Sequence, residues 1–264
     1  MERHRLYMAN KVGSVLKPDL YNEQERQVCS FVKSSGVVDD VFDRVRPIAS
    51  MNLYANDNEG WDEVEKRHRY FWSRFRTGFR CSLSITGYSQ KKVKLSVIEA
   101  HKGINAAIAS GKLKPAEPHV TEVMMDQLTG DVRARQRARW AAVDWKLAKE
   151  LTAKDVTVVN GRIIPCIMSQ HSKLCFVQFT VKIQSQQVFA AYADQAKTKL
   201  LAGHPEQVFA VEEYWVMERP FFKGLLKRSG PEGAHWRVMA RLTLPSKRPD
   251  APEQPEYEFF NTKK

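Results

Sequence analysis

Cysteine is scarce in this chain: Cys29, Cys81, Cys166 and Cys175 are the four among 264 residues, and no two of them stand at C-x-x-C spacing. That spacing excludes a zinc ribbon or a thioredoxin-type redox motif, and the simplest compartment is a reducing one. A two-residue loop at Gln170 and His171 would bring Cys166 opposite Cys175, yet both are expected to remain packed thiols. Long apolar runs are missing as well. No window reaches the roughly 18 consecutive apolar residues that a spanning helix needs, so any membrane contact must be peripheral. Acid is outnumbered, with 30 Asp and Glu against 42 Lys and Arg for a net charge of +12. Such a chain is drawn to polyanions, either RNA phosphates or an anionic lipid surface. No catalytic constellation and no metal-ligand spacing stands out, and no cofactor is expected.

What is present fits one core of about 130 residues with extensions around it. The first twenty residues carry Arg3, Arg5, Lys11 and Lys17 with little acid, a faint transit-peptide character without the long Arg/Ser-rich amphipathic run. Residues 1–60 read as an extension with short helical pieces, interrupted by Pro18, Pro47 and the polar cluster 56–60. Residues 61–90 read as a basic aromatic helix. Val64, His68, Phe71, Trp72, Phe75 and Phe79 recur at helical steps, with Arg67, Arg74 and Arg80 largely on other faces. Either its basic side lies on RNA or lipid, or its aromatic stripe packs on the domain and its arginines are solvated.

A second helix spans 91–112 with Gly111 as its stop, and a third spans 120–128, ending at Thr129-Gly130. Arg133, Arg135, Arg137 and Arg139 then alternate, fitting a helix surface or a strand edge equally well. Residues 141–151 suit a helix by propensity and a strand by alternation. Asn160-Gly161 reads as a turn joining strands at 156–159 and 162–169. The segment 174–192 is the longest strand, about 60 Å if straight, so it must curve, with a bulge near 185–187. Further strands are expected at 207–219 and 234–244. In the last, Trp236, Val238, Ala240, Leu242 and Leu244 should point inward and Arg237, Arg241 and Thr243 outward. The tail 247–264 is rich in proline and charge.

Helices followed by long strands specify an α+β fold: helices packed on a strongly curved antiparallel sheet, cone-like, behind an extended N-terminal arm. Within 91–246 the chain resembles the Tim-forty-four-like domain. That domain is shared by a mitochondrial large-ribosomal-subunit protein at the tunnel exit, an inner-membrane mitoribosome receptor, and the matrix-side motor anchor of the presequence translocase. The carrying segments are Ala-Arg-Trp at 138–140, Cys-Phe-Val-Gln-Phe-Thr-Val-Lys-Ile at 175–183, Val-Glu-Glu-Tyr-Trp-Val-Met-Glu-Arg at 211–219 and His-Trp-Arg-Val at 235–238. The ribosomal branch is the more similar, because no long charged coiled-coil-like region precedes the domain. Two departures are an insertion at 193–205 and a longer loop before His235. The resemblance implies a fold like that of nuclear transport factor two and no catalysis. It also implies a seat on ribosomal RNA and neighbouring large-subunit proteins in the mitochondrial matrix, with peripheral contact to the inner-membrane surface and its insertase.

Candidate RNA contacts are Arg133, Arg135, Arg137 and Arg139, then Arg67, Arg74 and Arg76, then Arg237 and Arg241, since phosphate contact needs only clustered cations. The candidate membrane contact is the segment 219–230, where Phe221, Phe222, Leu225 and Leu226 would meet lipid while Lys223, Lys227 and Arg228 meet anionic headgroups. The alternative for that segment is a short helix whose apolar residues pack back on the sheet. Two further readings are an import-motor scaffold and an isomerase-like or small-molecule-binding protein of the same fold. Candidates for the last are Glu212 or Glu213, whichever points inward, with Asp144 and His235. Glu212 and Glu213 must lie on opposite faces, and no partner His or Tyr is expected at a matching position.

Overall fold

The alternation Val177–Gln184, extended at both ends by apolar runs, specifies a long strand, and β3 (Leu174–Tyr192) is the axis of the structure, as the pattern predicts. The computed structural model describes residues 34–36, 58–166, 174–223 and 234–242. Around β3 run β1 (Ala142–Leu147), β2 (Val156–Pro165), β4 (Leu200–Phe222) and β5 (Arg237–Leu242). All are antiparallel, and β4 lies between β3 and β5. β1 and β2 share the other side of β3: β2 pairs with its first half, Val156 opposite Ile183, and β1 with its second, Leu147 opposite Gln187. Register shifts at Val158/Asn160, Gln187/Phe189, Ala191/Tyr192 and Val216/Met217 mark bulges, which strengthen twist and bend so long a ladder. The sheet stays open.

Among the described residues three helices precede it: α1 (Asn58–Ser84), α2 (Gln90–Ser110) and α3 (Glu122–Arg137), with a 3₁₀ turn at Lys114–His119 before α3. α2 is closed at both ends. Ser89 Oγ accepts from Lys92 N at 3.2 Å, and Gly111 takes the left-handed conformation (φ 71°) that a non-glycine residue adopts at a penalty. Its stripe Val93, Val97, Ile104 and Ala107 is buried against Val156, Val181, Trp215 and Val238 of the sheet, together with Met124 and Leu128 from α3. The outer face is also apolar where Leu174, Phe176 and Cys166 cluster, and again where Val216, Met239 and Ala240 meet.

Several expected boundaries move for physical reasons. α3 continues through Gly130 to Arg137, because Met124, Leu128 and Val132 hold one buried stripe across the glycine; its helical penalty is only about 1 kcal/mol. The alternating arginines therefore begin on a helix, and 142–147 is a strand. Asn160-Gly161 is no turn: β2 runs through it, bulged, because glycine is needed there for another reason. A Cβ on Gly161 would lie 2.8 Å from the Phe179 ring and 3.1 Å from Thr77 Cβ of α1. β4 begins at Leu200 and reaches Phe222, so the expected insertion at 193–205 is partly hairpin and strand, and Gly203 (φ 74°) sits against the Phe189 carbonyl. In β5 the bulge at Met239 reverses the alternation. Val238 joins the inner core while Ala240 packs outside, and Arg241 opposite Trp215 turns inward. Leu244 lies outside the described residues.

The ladder also settles the thiols. Pro165 is opposite Cys175, and Cys166 N donates to the Leu174 carbonyl at 3.1 Å, one residue off the expected hairpin register. Alternation then sends Cys166 to the outer cluster and Cys175 to the inner one; both are free and buried.

Candidate functional site

α1 lies on β2 with its polar side inward. Ser73 Oγ donates to the Gly161 carbonyl, Arg74 donates to the Val158 carbonyl at 2.9 Å, and Thr77, Cys81 and Ser84 are buried beside them. The aromatic stripe is therefore turned to solvent, the reverse of a stripe packed on the domain: Phe71, Trp72, Phe75 and Phe79 are 50–57% exposed and Val64 is 41% exposed. These rings order one another. Phe71 stacks on Phe75 at 6.4 Å, Trp72 meets Phe75 edge-on at 6.0 Å, and Trp72 Nε1 donates to His68 Nε2 at 2.6 Å. Arg69, Arg76 and Arg80 are exposed on the same helix. Exposed apolar surface of this extent, bordered by cations, is more than the scattered single apolar side chains ordinary on a protein exterior.

The expected RNA arginines separate into two groups. Arg133, Arg137 and Arg139 are exposed, and Arg139, just past α3, holds a positive φ of 59°. Arg135 instead crosses to α2, donating to the Ile108 carbonyl and to Ala109 O at 2.9 Å, where it satisfies the last carbonyls of that helix. Arg67 is half-buried, Arg74 is held by β2, and Arg76 is exposed. Arg241 pairs with Asp131 of α3 on the inner side. Arg237 lies opposite Glu218 in the β4–β5 ladder, its pKa lowered by burial and raised in part by the Glu218 charge.

The membrane segment behaves differently from a loop at its start. Phe221 is a core residue at 1% exposure, and Phe222 packs against the Cys166, Leu174 and Phe176 cluster, because both belong to β4. Neither is available to lipid as expected; Lys223 is exposed. Leu225, Leu226, Lys227 and Arg228 lie outside the described residues.

On the inner side the sheet, α2 and α3 enclose an open cavity of about 1170 Å³. Trp145, Phe189, Phe209 and Trp215 are among its walls, and Glu213 reaches into it. Alternation predicts opposite faces for Glu212 and Glu213, and they are so placed. Glu212 pairs with Lys182 at 2.6 Å and accepts from Tyr214 at 3.0 Å. Glu213 Oε2 is 2.7 Å from His101 Nε2 and accepts from Gln187 Nε2 at 3.3 Å. The expectation that no histidine partners the inward carboxylate is thereby corrected. His101 occupies a core position of the α2 stripe, fully buried, its ring 5.1 Å from Trp215 and 5.9 Å from Trp145. Burial alone would raise the Glu213 pKa, but the His101 hydrogen bond and charge, with Arg241 and Gln187, outweigh it and hold the carboxyl below its ordinary range. A depressed carboxylate is a poor proton acceptor, and an imidazole sealed under two tryptophans does not meet a substrate. Asp144 binds Lys197 at 2.7 Å, and His235 Nε2 is 2.7 Å from the Pro118 carbonyl, so neither joins this pair.

The outer face carries a second buried carboxylate, Glu218 at 1% exposure, which accepts from Ser34 Oγ at 2.8 Å, Ser35 and Gln178 Nε2 at 2.7 Å. Arg162 completes the group through Gln178 Oε1 at 2.8 Å. This anchors 34–36 to the sheet some 180 residues away in sequence. Among the described residues no group of His, Cys, Asp and Glu is arranged to hold a metal, and no helix is long and apolar enough to cross a membrane. A family model for the Tim44-like domain matches residues 86–242. None of the curated proteins compared matches the chain.

Proposed function

Because the chain belongs to the Tim44-like domain family, we propose that it is a non-catalytic binding scaffold on the matrix side of the mitochondrial inner membrane. Within that role we assign it to the large mitochondrial ribosomal subunit near the exit tunnel, binding ribosomal RNA and neighbouring proteins and tethering the ribosome to the membrane beside its insertase. The exposed aromatic stripe of α1, bordered by arginines, carries the reading. It precedes the matched region and stands outward from a sheet that already has its core. Covering the exposed half of four aromatic side chains removes on the order of 400 Å² from water, a gross gain of roughly 10 kcal/mol before ordering costs. Arg133, Arg137 and Arg139, with the +12 charge, support a polyanion partner.

Large mitochondrial ribosomal subunits and vesicles of anionic phospholipid are the two partners to offer the purified chain. Replacing Phe71, Trp72, Phe75 and Phe79 by serine should abolish vesicle flotation while leaving the unfolding transition intact. Replacing Arg133, Arg137 and Arg139 by alanine should weaken co-sedimentation with the subunit and lower its salt sensitivity. Failure of the wild-type chain to co-sediment would transfer the reading to an import-motor scaffold, and flotation unaffected by the serine variant would end the role given to α1.

A further inference from the structure

The inner cavity is chemically unlike the rest of the chain, and a polyanion-docking role does not use it. Asp131, Glu150, Asp155 and Glu213 line it with two cations, in a protein of net charge +12. Asp131 is satisfied locally by Arg241. Glu213 is held differently. His101 and Gln187 both approach its Oε2, so that among the described residues no group donates to Oε1, while the side chain keeps 21% of its surface exposed. Gln187 is itself fixed, accepting from Trp145 Nε1 at 2.6 Å and donating to Ser185 Oγ at 2.7 Å. A carboxylate locked in orientation, with one oxygen open, therefore stands among aromatic walls.

The pairing Trp145 with Phe189, and Gln187 with Phe209, puts Trp145, Phe189 and Phe209 on the same face of the sheet as Gln187. Aromatic faces attract cations, and the attraction grows where water is excluded. A fixed carboxylate beside them supplies a charge-assisted acceptor. Anions, by contrast, would meet Glu213 at close range.

We propose that this cavity is a binding site for a small organic cation: a protonated amine hydrogen-bonded to Glu213 Oε1, with an apolar body lying against Trp145, Phe189 and Phe209. The cavity volume accommodates a ligand of drug size. Such a ligand is distinct from the anionic partners of the outer surfaces, and its binding does not depend on that assignment.

Calorimetric titration of the full chain with tryptamine, and separately with indole-3-propionate, is the test. The two probes share a body and differ in the sign of their charge. Tryptamine should bind at least tenfold more tightly than indole-3-propionate, and Glu213→Gln, which keeps the shape and the contacts to His101 and Gln187, should reduce tryptamine affinity at least tenfold. Phe209→Ala, at the half-exposed rim, should weaken tryptamine with the unfolding transition unchanged. Equal binding of the two probes, no binding of tryptamine, or full affinity in a folded Glu213→Gln variant would each overturn the assignment. Should Glu213→Gln fail to fold, the comparison of the two probes on the wild-type chain and the Phe209→Ala variant still decides.

Discussion

Gly161→Ala tests how closely α1 is held to β2. The new methyl would lie 2.8 Å from Phe179 Cε1, 2.9 Å from Phe179 Cδ1 and 3.1 Å from Thr77 Cβ. Ordinary contact begins about 3.4 Å apart, so the ring or the helix must retreat by several tenths of an ångström. Phe179 has little room: it is 2% exposed, stacked on Tyr88 at 6.3 Å and tilted against Trp236 at 5.5 Å. α1 must therefore shift, straining the bonds from Ser73 and Arg74. Overpacking of this kind costs about 1–3 kcal/mol. Removing a glycine from the unfolded chain returns about 0.4–1 kcal/mol. A net loss of roughly 1–2 kcal/mol follows, or a Tm lowered by about 2–8 °C for a domain of this size. Urea unfolding of wild type, Gly161→Ala, Phe179→Leu and the double variant gives the coupling directly, because the leucine opens the space the methyl needs. A stabilised Gly161→Ala, or strictly additive variants, would refute the close-approach argument.

Arg135→Met removes two donors from the end of α2, and hydrogen bonds of a charged group are worth about 1.5–3 kcal/mol; hydrogen exchange should speed selectively at 105–111, and uniform protection would contradict the bridge. Burial pushes the Cys81 thiol up to about 12, against a partial opposing pull from Arg219, so at pH 8 it should resist iodoacetamide in the folded chain and react on unfolding. The sign for stability is fixed by the same shift: with the folded pKa above the ordinary thiol value of 9.0, stability is full below pH 9 and falls as pH rises toward 12. Cys81→Ala should flatten that fall, and an identical alkaline limb in the variant would remove the thiol as its source.

Where local pattern and tertiary packing agree, the sequence is transparent. β3 alternates apolar and polar from Val177 to Gln184, and α2 carries both a capping serine and a stop glycine, so both are legible to within a residue or two. Glycines are where reading fails. Gly130 looks like a stop and is a tolerated helix residue, while Asn160-Gly161 looks like a turn and is a packing notch for Phe179 and Thr77. Neither distinction exists until α1 and β3 are in place. Alternation puts Glu212 and Glu213 on opposite faces without saying which turns inward, and the expectation of no histidine partner fails although the signal is in the sequence: His101 falls on the stripe of Val93, Val97, Ile104 and Ile108, where a polar residue must find a partner. The face that α1 shows to solvent was not decidable from its own periodicity. Ser73, Arg74, Thr77, Cys81 and Ser84 can turn inward as readily as four rings when the surface beneath presents carbonyl groups.

Those carbonyls give α1 a second consequence. With β1 and β2 sharing one side of β3, the far side of β2 has no neighbouring strand among the described residues, and Ser73 and Arg74 occupy the acceptors that another chain's amides would otherwise reach. A partner that peels α1 away to engage its rings would uncover a ten-residue template for intermolecular β-pairing. Aggregation on losing the helix is thus written into the same contact that holds it.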